Sequence, residues 1–112
     1  MGHLTEICAS GNVSAVIEFD KIPCFAEIDA YIVQGCIPGG THRNWDSYGD
    51  QIHLANDYQK LVLADPQTSG GLPIAVEEMA LQEVSNLLQT HVIGVESFGR
   101  LVEKHDVLIT VL

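Results

Sequence analysis

Val13-Ser14-Ala15-Val16-Ile17-Glu18-Phe19 is the stretch on which the fold turns. Val13, Ala15, Ile17 and Phe19 alternate with Ser14, Val16 and Glu18, the two-residue period of a strand with one face on a core. Just before it, Leu4, Ile7 and Cys8 fall at helical spacing across residues 3–9, and Ser10-Gly11 stops that helix. Just after it, residues 20–23 turn the chain. Phe25, Ile28 and Ile32 then recur at helical spacing over 24–34, with Pro23 suited to the first turn and Gly35 to the far end.

Further out the signals alternate between elements and loops. Residues 35–51 are rich in Gly, Pro, Asn, Asp and Ser without a clean period, which predicts a loop, and long loops inside compact domains are often functional. Residues 57–64 read as a short helix, although Leu61-Val62-Leu63 also suits a strand; Asp65-Pro66 ends the element, because the residue before proline is pushed out of helical geometry. The apolar run 72–76 predicts a buried strand. Glu77 and Glu78 open the longest helix, whose stripe is Ala80, Leu81, Val84, Leu87, Leu88 and Val92, and Gly94 stops it. Two strands follow, over 97–103 and 107–112, and Lys104-His105-Asp106 between them predicts an antiparallel hairpin. The expected class is α+β: a largely antiparallel or mixed sheet of about four strands packed with helices.

Composition narrows the function. A chain of 112 residues with 46 % apolar and 18 % charged residues holds one domain with one core. Its formal charge of −10 repels phosphate backbones and anionic lipid headgroups, so no nucleic acid and no membrane partner is expected. No apolar run approaches the roughly 18 residues a membrane span needs, and Met1-Gly2-His3-Leu4-Thr5-Glu6 lacks a signal-peptide pattern; a cytoplasmic location is expected. Cys8, Cys24 and Cys36 form no Cys-x-x-Cys pair and the histidines are scattered, which predicts free thiols and no metal site. Asn12-Val13-Ser14 matches a glycosylation sequon only by chance composition.

Two loops carry chemical information. In Gly35-Cys36-Ile37-Pro38-Gly39-Gly40-Thr41-His42-Arg43-Asn44, adjacent glycines let consecutive N–H groups point at an anion, and Thr41, Arg43 and Asn44 add donors for phosphate oxygens. In Asp65-Pro66-Gln67-Thr68-Ser69-Gly70-Gly71 a second glycine pair follows hydroxyl residues, but it leads into an apolar run and lacks the lysine of an NTPase phosphate loop. Either loop is equally a turn in which glycine permits the geometry and the polar side chains cap it.

The second loop resembles the signature of the C-terminal domain shared by the aminoimidazole ribonucleotide synthetase superfamily. Pro38-Gly39-Gly40-Thr41 followed by Arg43-Asn44 is similar to the selenophosphate synthetase version of that domain. Gly2-His3-Leu4, Ile17-Glu18-Phe19-Asp20, Ile22-Pro23 and Tyr48-Gly49-Asp50 extend the resemblance along the whole chain. It implies a single partial domain over 1–112, truncated at its N-terminal side, from an enzyme that turns ATP, selenide and water into selenophosphate, AMP and phosphate with Mg2+. It also implies that the nucleophile, the essential lysine and most of the metal-binding aspartates lie in a missing N-terminal nucleotide-binding domain, with one further metal-binding aspartate just upstream of Gly2. No catalytic and no metal residue is therefore expected here, and Asp65 and the three cysteines do not match those positions. Gly39, Gly40, Thr41, Arg43, Asn44, Thr68, Ser69, Gly70 and Gly71 are expected to face the cleft over the nucleotide's phosphates, without holding ATP or Mg2+ tightly alone. Self-association, most simply as a homodimer, is expected of a sheet left with uncovered apolar surface. The alternatives are another member of the superfamily (thiamine-phosphate kinase, hydrogenase maturation or purine synthesis) or a non-catalytic binding module.

Overall fold

The computed structural model describes residues 1–91, 93–94 and 96–112. Helix α1, Gly2–Gly11, ends at Asn12, which takes the left-handed conformation (φ 53°) and donates its N–H to the carbonyls at the helix end. Asparagine tolerates that conformation better than most residues with a side chain, so the reversal needs no glycine. The chain then enters β1, Val13–Ile17. After a short turn come α2 (Ile28–Val33), α3 (Gly39–Tyr48), β2 (Ile52–His53) and α4 (Asp57–Leu63). The last elements are α5 (Leu81–Thr90), β3 (Gly99–Glu103) and β4 (Ile109–Val111).

The architecture is the expected α+β type, with a mixed sheet in the order β2-β4-β1-β3. β1 runs antiparallel to β3 and parallel to β4, and β2 runs parallel to β4. As an interior strand β1 buries residues of both faces, Ser14 as well as Ala15 and Ile17. Cys8 of α1 joins Ala15, Ile17, Ile52, Leu108, Ile109 and Val111 in the core, against which Leu4, Phe19, Trp45 and Tyr48 pack. α1 crosses α3 closely enough that a Cβ on Gly2 would lie 3.4 Å from the Tyr48 ring.

Five expectations are corrected. The last two strands are not a hairpin, because β1 lies between β3 and β4. Their connection passes the end of β1 and is fastened there: the Ser14 hydroxyl accepts from the His105 N–H at 2.9 Å and donates to the Val107 carbonyl at 3.0 Å. The run 72–76 is not a buried strand; Leu72 is 86 % and Ile74 62 % exposed, and the fourth strand is instead Ile52–His53, too short to show any period. The helix expected over 24–34 is regular only from Ile28, leaving Pro23 outside its first turn.

Most consequential is the predicted loop over 35–51, which contains the ten-residue helix α3. Its polar composition hides a narrow inward stripe, Thr41, Trp45 and Tyr48, at spacings of four and three. The expected longest helix is split into a 3₁₀ turn, Glu78–Ala80, and α5, which has no buried residue; Val92, assigned to its stripe from sequence, lies outside the described residues. Among the described residues no helix is long and apolar enough to cross a membrane.

Candidate functional site

The site is built on the first turns of α3. Pro38 caps the helix in an extended conformation (φ −60°, ψ 136°), close to the angle its ring imposes anyway, and Gly39 and Gly40 form the opening positions. Amides there have no partner further back in the helix and sit at the positive end of its dipole. Arg43 lies one turn on, and its Nη1 stands 3.9 Å from where a Gly39 Cβ would be, so a cation flanks the same end. Positive dipole, glycine backbone and guanidinium together make a corner suited to phosphate oxygens. Thr41 is at the opposite extreme of exposure, at 1 %, and among the described residues its hydroxyl has no hydrogen-bond partner.

The second loop is carried to this corner by α4. Asn56 starts α4 by accepting from the Gln59 N–H at 3.0 Å, while Gln59 reaches back to accept from the Ala55 N–H at 2.8 Å, a reciprocal cap. At the other end Ala64 is buried, and its carbonyl accepts from the Asn44 side-chain amide at 2.9 Å. Two residues later Pro66 lies on Gly40 so closely that a Cβ on Gly40 would be 2.7 Å from the proline Cγ. Beyond Pro66 the chain runs out into solvent: Thr68, Ser69, Gly70 and Gly71 are all exposed, and Gly70 folds back over Gln67.

The structure thus brings Gly39, Gly40, Thr41, Arg43 and Asn44 together on α3 and anchors the root of the second loop beside them. Within that set the side chains divide. Gly39 and Arg43 are exposed at the helix end, whereas Asn44 is engaged with Ala64 and Thr41 is interior. Sequence reasoning missed Pro66 and Ala64, which form the joint between the loops. Pro38 was the available signal that a helix, and so a dipole, begins there.

Elsewhere, an open groove of about 480 Å³ runs past Trp45, His53 and Lys60. Its lysine is paired with Asp57 at 2.8 Å, and that contact holds the Asp57 carboxyl below the ordinary carboxylate range. The Cys8 thiol is pushed up by burial and stays protonated at neutral pH. Among the described residues no three His, Cys, Asp or Glu side chains converge as a metal would require.

The chain is 48 % identical, over its whole length, to the selenide, water dikinase of Pasteurella multocida, of which it covers 33 %. Its relatives are selenide, water dikinases. The Photorhabdus laumondii dikinase is 46 % identical over 95 % of the chain, and the Haemophilus influenzae dikinase 45 % identical over 95 %. The chain spans about a third of the length of these dikinases, 30 % and 31 % for the last two. No family model matches it. Similarity to the dikinases along essentially the entire chain agrees with the resemblance carried by the two loop motifs.

Proposed function

We propose that this chain is the C-terminal portion of a cytoplasmic selenide, water dikinase, and that the whole protein makes selenophosphate from selenide, ATP and water, releasing AMP and phosphate. The observation that carries this reading is the 48 % identity to a named dikinase over the whole length of the chain. In such a reaction selenide attacks the γ-phosphoryl group and water later hydrolyses the remaining ADP. Little covalent chemistry then falls to the protein, and catalysis rests on positioning and on charge stabilisation.

On this reading the corner at α3 faces the nucleotide's phosphates across a cleft closed by an N-terminal nucleotide-binding domain. Gly39 and Gly40 offer backbone N–H groups, Arg43 a charge, and Thr68, Ser69, Gly70 and Gly71 cover the site. Thr41 and Asn44 shape it from within. Carboxylates outside this chain would hold magnesium, which would neutralise the nucleotide that a chain of formal charge −10 otherwise repels. Exposed Leu72, Ile74 and Leu87 supply apolar surface for that domain or for a homodimer.

Exchange of segments tests the proposal. Residues 1–112 replace the matching third of the Pasteurella multocida enzyme, and selenophosphate is followed by phosphorus NMR. Production at a rate within about tenfold of the parent supports the reading, the margin allowing for an imperfect domain interface. A chimaera that folds and binds ATP yet makes no selenophosphate refutes it.

A further inference from the structure

The two glycine loops are separate motifs in the sequence but share one joint in the structure. Asn44 donates to the Ala64 carbonyl at 2.9 Å, and Pro66 occupies the space that any Cβ on Gly40 would need. Ala64 is 1 % exposed, so its carbonyl has no easy recourse to water and depends on Asn44. Gly40 is correspondingly required for contact and not for backbone freedom: it lies within helix α3, and even a methyl group there would displace Pro66.

We infer that Asn44 is a positioning residue: it and the Gly40–Pro66 contact fasten the 65–71 loop to the first turn of α3, so that both motifs meet an anionic ligand as one unit. The inference rests on the reading that these loops face phosphates. Asn44 touches no ligand in this scheme; it acts through Ala64 on the root of the second loop. Its planar amide is suited to the task, since one N–H reaches the carbonyl while the neutral group adds no charge beside the phosphate corner.

The joint can be measured without any nucleotide, in the 112-residue chain, from the nuclear Overhauser effect between the Gly40 α-protons and the Pro66 ring. The expected wild-type signal is strong. Asn44→Ala removes one hydrogen bond and shifts the joint about fivefold toward the open form. Asn44→Asp keeps the shape but sets a carboxylate against a carbonyl, so its signal falls further than that of Asn44→Ala. A side chain that merely packs predicts the reverse order, with the isosteric aspartate the milder change, and that order overturns the inference. So does an unchanged signal in both variants. Spectra of Ile109 and Val111 report whether the core is intact, and a variant whose core shifts is replaced by Asn44→Ser, which retains a donor too short to reach and is expected to weaken the signal as Asn44→Ala does. Because no ligand is present, failure of the joint and failure of the phosphate reading are told apart.

Discussion

Replacing Ser14 with alanine is expected to destabilise the fold more than any other loss of a single hydroxyl. Ser14 is 2 % exposed on the interior strand β1, and its oxygen holds both ends of the connection between β3 and β4. Without it the His105 N–H and the Val107 carbonyl lose their partner together. His105 is exposed and Val107 half-buried, so water recovers the first more readily than the second. One net hydrogen bond at about 1 kcal/mol plus a partly unsatisfied carbonyl at about 1 kcal/mol gives a loss of about 2 kcal/mol. For a domain near this size that corresponds to a fall in Tm of roughly 8–12 °C. Urea denaturation followed by circular dichroism measures it, with Ser10→Ala as control. Ser10 also donates, at 2.8 Å to the Glu6 carbonyl, but from an exposed position on α1. The control is expected within about 0.5 kcal/mol of wild type. A loss for Ser14→Ala no larger than that of the control, with equal m-values, would refute the assignment of the 104–107 connection to a serine-held crossover.

Two further outcomes follow from the protonation of side chains. The Tyr58 phenol, hydrogen-bonded to Asp29 between α4 and α2, is pushed up to about 12 chiefly by that bond, with smaller contributions from burial and the nearby negative charges. A raised folded-state value means that its contribution is complete below the ordinary tyrosine range near pH 10 and is lost as pH rises toward 12. The stability difference between wild type and Tyr58→Phe should be small and constant from pH 7 to about 10 and decline progressively between pH 10 and about 12, as chemical denaturation at each pH will show. In thiol labelling at pH 8, exposed Cys24 and Cys36 should react promptly and buried Cys8 only on unfolding. Three equally fast thiols would contradict a core built around Cys8.

How much was legible in the sequence depended on whether a signal was local. The alternation in residues 13–19 and the spacing of Leu4 and Cys8 placed β1 and α1, since the Ala15–Ile17 face of β1 and one face of α1 meet the core and the pattern records it, although β1 also buries Ser14 on its other face. Helix α3 was hidden because its inward stripe is only Thr41, Trp45 and Tyr48 among glycines and polar residues, so a composition typical of loops masked a helical period. The hairpin expectation failed for a different reason. A short link between two strands fits adjacency, and only the third partner, β1, and the hydroxyl of Ser14 show otherwise. The apolar run 72–76 has a strand's composition but pairs with no strand among the described residues, and pairing is a tertiary property. In the candidate site, glycines and donors were visible as motifs, whereas the joint of Asn44, Ala64, Gly40 and Pro66 exists only once α4 has brought the loops together.

The role given to the corner of α3 stands or falls with Arg43. In the chimaera that carries residues 1–112, the KM for magnesium-ATP is compared between Arg43 and Arg43→Ala, with folding checked by circular dichroism. Loss of one charge-assisted contact to phosphate should raise KM about tenfold or more. An unchanged KM, and an unchanged rate of selenophosphate formation, would show that the guanidinium beside Gly39 never meets the nucleotide and that the glycine pair is only the start of a helix.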